Sequence, residues 1–182
     1  MSVTPSAPAP ELSSSHASVA AIVYPDNEYP DAVFETLVRR SRERGLSLAG
    51  VLQHRIFETA DRRCDVVLED LTTGHRTAIF EDRGTGAAGC RLDEAALAEA
   101  TARIEGNLGD GADLLALNKF GKAECDGGGL LDLIGNAIDR GIPVIIGVPK
   151  SNLGAWRNFA GELAIELPDD DDEIGRWLEG LR

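Results

Sequence analysis

The chain has 182 residues, 43% of them hydrophobic, with 31 acidic against 18 basic side chains and a formal net charge of -13. That length carries one sizeable core, and no apolar run reaches what a membrane span needs. So acidic a chain also lacks the basic footprint of nonspecific nucleic-acid binding, although a few cations can still dominate the field inside one cleft.

Residues 1–17 (MSVTPSAPAPELSSSHA) are rich in Ser, Ala and Pro, offer little to bury, and read as a disordered lead-in that includes His16. They show no basic segment followed by an apolar one, so no secretory signal is expected and the location is read as cytoplasmic. Cys64, Cys90 and Cys125 are dispersed, form no C-x-x-C, and suit reduced thiols better than a disulfide frame.

Residues 18–182 read as a single α/β domain. An apolar strand at Val19–Tyr24 runs into the turn-rich PDNEYPD. Ala32, Val33, Leu37 and Val38 then recur at helical spacing as far as Arg44, and Gly45 stops the helix. With a strand at Leu46–Gln53 this makes a right-handed βαβ unit. DVVLEDLTTGHRTAIF (Asp65–Phe80) is a hairpin around Thr-Thr-Gly. A glycine-rich loop, EDRGTGAAGCRLD, leads to a helix capped by Asp93 and ending near Asn107. A buried strand at Asp113–Leu117, a helix at Leu130–Arg140 closed by Gly141, and a strand at Ile142–Val148 follow. Trp156 and Phe159 fall on a short helix or turn in core or interface, before a strand at Glu162–Leu167 and a terminal helix from Asp169. The acids that open that helix suit its N-terminus and read as a solvated entrance rather than a metal site.

The order of AGVLQ, DLTTGHRTAIF, GCRLD, ADLLALNKFGKAE and IPVIIGVP, over about residues 19–150, resembles the small P-loop nucleoside-triphosphatases of the thermophile type. It is more similar still to a bacterial family of unknown function that shares the GCRLD and NKFGK-x-E segments. Genes of that family often lie beside those of molybdate-uptake components. The resemblance implies a three-layer α/β fold of P-loop NTPase type, with a mostly parallel sheet and an attached antiparallel hairpin. Fold alone does not imply activity.

Two departures bear on the chemistry. A P-loop NTPase needs Gly-x-x-x-x-Gly-Lys-Ser/Thr after its first strand, to cradle phosphates and hold Mg²⁺. Here that place is YPDNEYPD, which has no glycine and no lysine, three acids, and two prolines that remove amide donors. Where those NTPases carry an Asp-Glu pair, this chain has Asn118 and Lys119. Both changes remove parts that Mg²⁺-triphosphate chemistry depends on, so the fold is expected to lack a Walker A loop and the protein to lean away from being an enzyme.

In open α/β sheets ligands sit beyond the carboxyl ends of the strands. The anion-binding candidates are therefore Asn118, Lys119 and Lys122, with Cys90, Arg91 and Gly89 from the glycine-rich loop closing over the same edge. Secondary candidates are Asp26, Asn27, Gln53, His54, Glu124 and Lys150. Each has a plain alternative: the lysines as solvated charges, Gly84, Gly86 and Gly89 as turn formers, and Cys90 as a buried filler. No residue spacing defines a metal site or a Ser-His-Asp order, so no metal or cofactor is expected.

Three readings follow. The first is a non-hydrolytic module holding a small anion, either a nucleotide fragment or an oxyanion such as molybdate. The second is a nucleoside-triphosphatase or other phosphohydrolase with a rearranged site, in which Asp26 or Glu124 holds a metal or acts as base. The third is a scaffold or regulator that binds another protein near Trp156 or forms a homodimer. Expected partners under the first are a small anionic ligand, and neither nucleic acid nor membrane.

Overall fold

In a computed structural model the described residues are 19–56, 66–81 and 90–181. The lead-in read over 1–17, Cys64, and Gly84, Gly86 and Gly89 of the glycine-rich loop lie outside them.

Strand β1 (Val19–Tyr24) leads into α1 (Asp31–Glu43), which ends where Gly45 takes a left-handed φ of 76°. The Leu46 N–H turns back to the Ser41 carbonyl at 3.0 Å, closing the helix by hydrogen bond. This closing turn occupies Leu46, so β2 runs Leu48–Arg55 and starts two residues later than its apolar pattern suggests. The hairpin follows as β3 (Val66–Asp70) and β4 (Arg76–Ala78), with Gly74 at φ 72° in its turn. Two short strands unforeseen in the sequence, β5 (Phe80–Glu81) and β6 (Arg91–Leu92), pair with each other. Helix α2 (Glu94–Gly109) starts at Asp93, whose carboxylate accepts the Ala96 N–H at 2.9 Å, the expected cap.

The last third holds β7 (Leu114–Leu117), a single turn α3 (Lys122–Cys125), α4 (Leu131–Asp139), β8 (Val144–Pro149), α5 (Leu153–Ala160), β9 (Ala164–Pro168) and α6 (Asp171–Glu179). Asp170 accepts from the Asp172 and Glu173 N–H groups, so the acid-rich run is a helix entrance with its own cap.

The main sheet has the order β4-β3-β2-β7-β8-β1-β9. The five strands from β2 to β9 run parallel, and the hairpin adds β3 and β4 antiparallel at one edge. Alternation along a parallel strand feeds two cores. Val19 and Ala21 join α2, α4 and α5 on one face, while Ala20 and Ile22 join α1 and α6 on the other. Helices cover both faces, so the inner strands read as unbroken apolar runs. This is a three-layer α/β fold with a mostly parallel seven-stranded sheet.

Two side chains pin the segment that leaves β7. Asn118, 2% exposed, accepts the Gln53 N–H at 2.6 Å and donates to the Gln53 carbonyl at 2.8 Å, so its carboxamide acts as one more peptide group between β2 and β7. A carboxylate could do only the first of these, because its second oxygen would face a carbonyl oxygen. Gly147 makes room on the other side: a Cβ there would strike the Asn118 carbonyl. Glu124, 8% exposed, then accepts from the Gly121 N–H at 2.8 Å and the Leu130 N–H at 2.9 Å, folding the loop around α3 onto itself.

Both clamps make measurable demands. Asn118→Asp should lower unfolding stability by about 1–3 kcal/mol, the range for a buried polar group deprived of its partner. The introduced carboxyl can donate only when protonated. Its folded pKa is therefore raised, and the deficit in urea denaturation should be smallest below about pH 4 and grow as the pH rises. Glu124→Gln places an amide N–H against a backbone N–H and should cost a similar amount by the same assay. A wild-type midpoint in either variant would mean that its clamp carries no weight.

Candidate functional site

Against the α2-side face of the sheet, along β2 and at the carboxyl end of β7, lies a cavity of about 460 Å³. Its apolar walls are Val51, Leu68, Ile79, Leu92, Leu97 and Leu117, drawn from four strands, the β4–β5 link and helix α2. Polar groups converge on it from Gln53 and from the pinned segment, which supplies Lys119, Lys122 and Asp126. The Lys122 side chain is exposed and has no hydrogen-bond or ion-pair partner among the described residues.

Lys119 lies between this cavity and the β1–α1 connection. Its Nζ is 5.3 Å from the centroid of the Tyr29 ring, and the Arg55 guanidinium carbon is 4.3 Å from the same centroid. Both are cation–π distances. Gln53 donates its side-chain amide to the Tyr29 hydroxyl at 3.3 Å. Burial alone would raise the Tyr29 phenol. The Arg55 guanidinium, the Lys119 charge and the Gln53 amide outweigh burial and hold the phenol below its ordinary value. The neighbouring Tyr24 is the opposite case: burial first, then the charges of Tyr29, Asp26 and Asp31, push it far up.

The rest of the β1–α1 connection is tied into the chain. Asn27 takes a left-handed φ of 64°, which an Asn tolerates better than most residues. Asp26 accepts the Ser151 N–H at 2.9 Å just past β8, and that bond, with the Ser151 hydroxyl and the Lys150 charge, holds its carboxyl below the usual range. Lys150 is exposed. Helix α1 opens with Pro30, which has no N–H, and with Asp31 in its first turn. Neither favours an anion at that helix end.

The structure divides the candidates of the sequence. Lys119, Lys122 and Gln53 meet at the cavity. Asn118 and Glu124 also line it, but the Gln53 backbone holds the first and two backbone amides hold the second, so both are framework. Arg91 pairs with Glu81 at 3.4 Å, and its neighbours Cys90 and Leu92 face the cavity. His54 Nε2 lies 3.1 Å from Glu69 Oε2 on the hairpin side. Gly89 is outside the described residues.

The expectation of three reduced thiols does not hold for Cys90, which is disulfide-bonded and so presents no thiolate. Cys125 is free; burial, Glu124 and Asp126 push its thiol up, away from the nucleophilic form. Trp156 is core, 1% exposed, with its ring edge-on to Phe120 at 5.4 Å. Phe159, whose ring centroid is 6.0 Å from that of Trp156, is exposed, as are Leu163 and Ile165.

Sequence reading passed over Tyr29 and the apolar walls. The signal for Tyr29 was its place in the connection where phosphate cradles sit. The walls carry no such signal, since apolar strand residues read as core.

Among solved structures, the fold is similar to THEP1 from the hyperthermophile Aquifex aeolicus. The TM-score is 0.64 at 15% identity, over 90% of this chain and 98% of that one. It is similar also to a human cancer-related nucleoside triphosphatase, with a TM-score of 0.63 at 11% identity over 88% and 95% of the two chains. At such identities the likeness shows the fold, which is that of P-loop NTPase-like proteins. In sequence, 159 residues (87% of this chain) are 32% identical to Molybdenum import ATP-binding protein ModC 2 of Bradyrhizobium diazoefficiens, of whose length they span 18%. A family model matches residues 19–177, and the chain accordingly belongs to the family described as "Protein of unknown function (DUF2478)".

Proposed function

We propose that the protein is a non-hydrolytic, P-loop-NTPase-like module that binds a small anion at the cavity along β2 and at the end of β7. The observation that carries this reading is the pair Lys119 and Lys122 on one cavity rim in a chain of net charge -13. Lys119 rests on an aromatic face and Lys122 has no partner among the described residues, so neither charge is neutralised by a carboxylate at hydrogen-bond distance. Cations gathered at the mouth of a cleft with apolar walls concentrate field more than the same charges would on open surface. The likeness to a molybdenum-import ATP-binding protein favours an oxyanion such as molybdate, and a link to molybdenum uptake, over a nucleotide fragment. A β1–α1 connection with no glycine or lysine between Tyr24 and Asp31, and with Asp26 already bonded to Ser151, favours binding without hydrolysis.

A second reading, a protein-binding scaffold, draws on the exposed Phe159 of α5, Leu163, and Ile165 on edge strand β9.

The test is a thermal-shift series with molybdate, tungstate, sulfate, phosphate, Mg²⁺-ATP and Mg²⁺-GTP. At a hundredfold excess over Kd, binding adds about 2.7 kcal/mol, or roughly 5–10 °C in a chain of this size. A selective shift with molybdate or tungstate is expected, lost in Lys119→Ala and weakened in Lys122→Ala. A shift with Mg²⁺-nucleotide accompanied by phosphate release would replace the proposal with the nucleoside-triphosphatase reading. Silence across the series would leave the scaffold.

The placement of Lys119 is open to a ligand-free check. In an ultraviolet absorbance titration, one of the two tyrosines, Tyr29, should ionise below about pH 10, while Tyr24 stays protonated until the chain unfolds. Lys119→Ala removes a charge that favours the phenolate and should move the Tyr29 midpoint upward. An unmoved midpoint would show that Lys119 does not lie against Tyr29.

A further inference from the structure

From the shape of the same cavity we infer that the anion carries an organic body: the ligand is a small amphipathic molecule with one anionic head and an apolar, ring-sized portion. This rests on the anion site proposed above and sets an organic anion against the bare oxyanion preferred there.

The first reason is size. A cavity of about 460 Å³ falls in the range of organic-ligand pockets, roughly 300–1,000 Å³. An inorganic oxyanion displaces only a few water volumes of about 30 Å³ each. Held at Lys119 and Lys122, it would leave most of the chamber unfilled.

The second reason is the chemistry of the walls. Leu117 is fully buried, and Val51, Leu68 and Ile79 are 3%, 5% and 5% exposed, yet all four reach the cavity surface. These residues belong to the same core that packs α2 and α4 against the sheet. The cavity opens to solvent, and apolar surface of this extent left against water costs free energy that a fitting apolar group recovers by burial. Water gains little there, because it needs polar partners that these side chains do not offer.

The third reason is segregation. The Gln53 amide and the cations come from β2 and the segment after β7, whereas Ile79, Leu92 and Leu97 come from the residue after the hairpin, β6 and α2, with Val51 and Leu117 completing the apolar wall. A molecule with one charged end and one apolar end matches that division. Asp126, four residues beyond Lys122, also lines the cavity, which suits a head of low charge better than a triphosphate. The head can be a phosphate, sulfonate or carboxylate, since lysines act on all three as point charges.

The test is calorimetric titration of the full chain with inorganic phosphate, phenyl phosphate, 1-naphthyl phosphate and neutral 1-naphthol. The two aryl phosphates should bind at least about tenfold more tightly than phosphate, by apolar burial, with the negative heat-capacity change that such burial brings. Leu97→Phe, at a wall position on α2 that is only partly buried, should lower the ratio of aryl-phosphate to phosphate affinity towards one. Lys119→Ala should weaken all three anions. Phosphate and aryl phosphates of equal affinity would overturn this inference and leave the anion reading standing. Naphthol binding as tightly as naphthyl phosphate, indifferent to Lys119→Ala, would overturn both, as would no binding by any probe. The comparison among probes on the unaltered protein decides the matter even where a variant fails to fold.

Discussion

The segment after β7 depends on one exchange of hydrogen bonds, that between the Asn118 side chain and the Gln53 backbone. It extends the β2–β7 pairing past the point where the strands part. It also fixes where Lys119 leaves the sheet, and with it the contact to Tyr29 and one wall of the cavity. An acid in this place suits a protein that must offer a carboxylate to a metal. The carboxamide suits one that needs both a donor and an acceptor turned inward. Asparagine here is thus explained by packing, and the question of chemistry passes to the lysine that follows it.

Much of the fold was legible because parallel strands covered on both faces must be apolar along their whole length. Val19–Tyr24 was located from that feature alone, and β7 and β8 to within a residue or two. The Thr-Thr-Gly turn and the Asp93 cap were readable because their physics is local, confined to a few residues along the chain. The same locality shows where the reading failed. The two-residue β5–β6 ribbon has no pattern of its own, and β2 started late because the C-terminal turn of α1 consumed its first residues.

The site was legible only in part, for a related reason. Strand-end logic singled out Lys119, Lys122 and Gln53, which the fold brings to one cavity. It could not see that Asn118 spends its side chain on a residue 65 positions away, or that Arg91 and Cys90 have partners of their own. Glu124 was different: its position three residues after Gly121 has the spacing of a capping residue, and the structural reading could have been preferred. The cavity walls come from elements scattered between Val51 and Leu130. No single stretch of sequence contains enough of them to announce a space between them.

The bond between Asp26 and the Ser151 amide has one more consequence. The β1–α1 connection, which in nucleotide-binding relatives of this fold is kept open for phosphate, here carries an anion of its own. An intramolecular carboxylate acts at an effective concentration on the order of millimolar or above, independent of what the surroundings supply. Any free anion approaching the β8 end must displace a competitor that never diffuses away. The sheet edge is in that sense partly self-occupied: the chain fills the position beside Ser151 with its own carboxylate and leaves Lys119 without one.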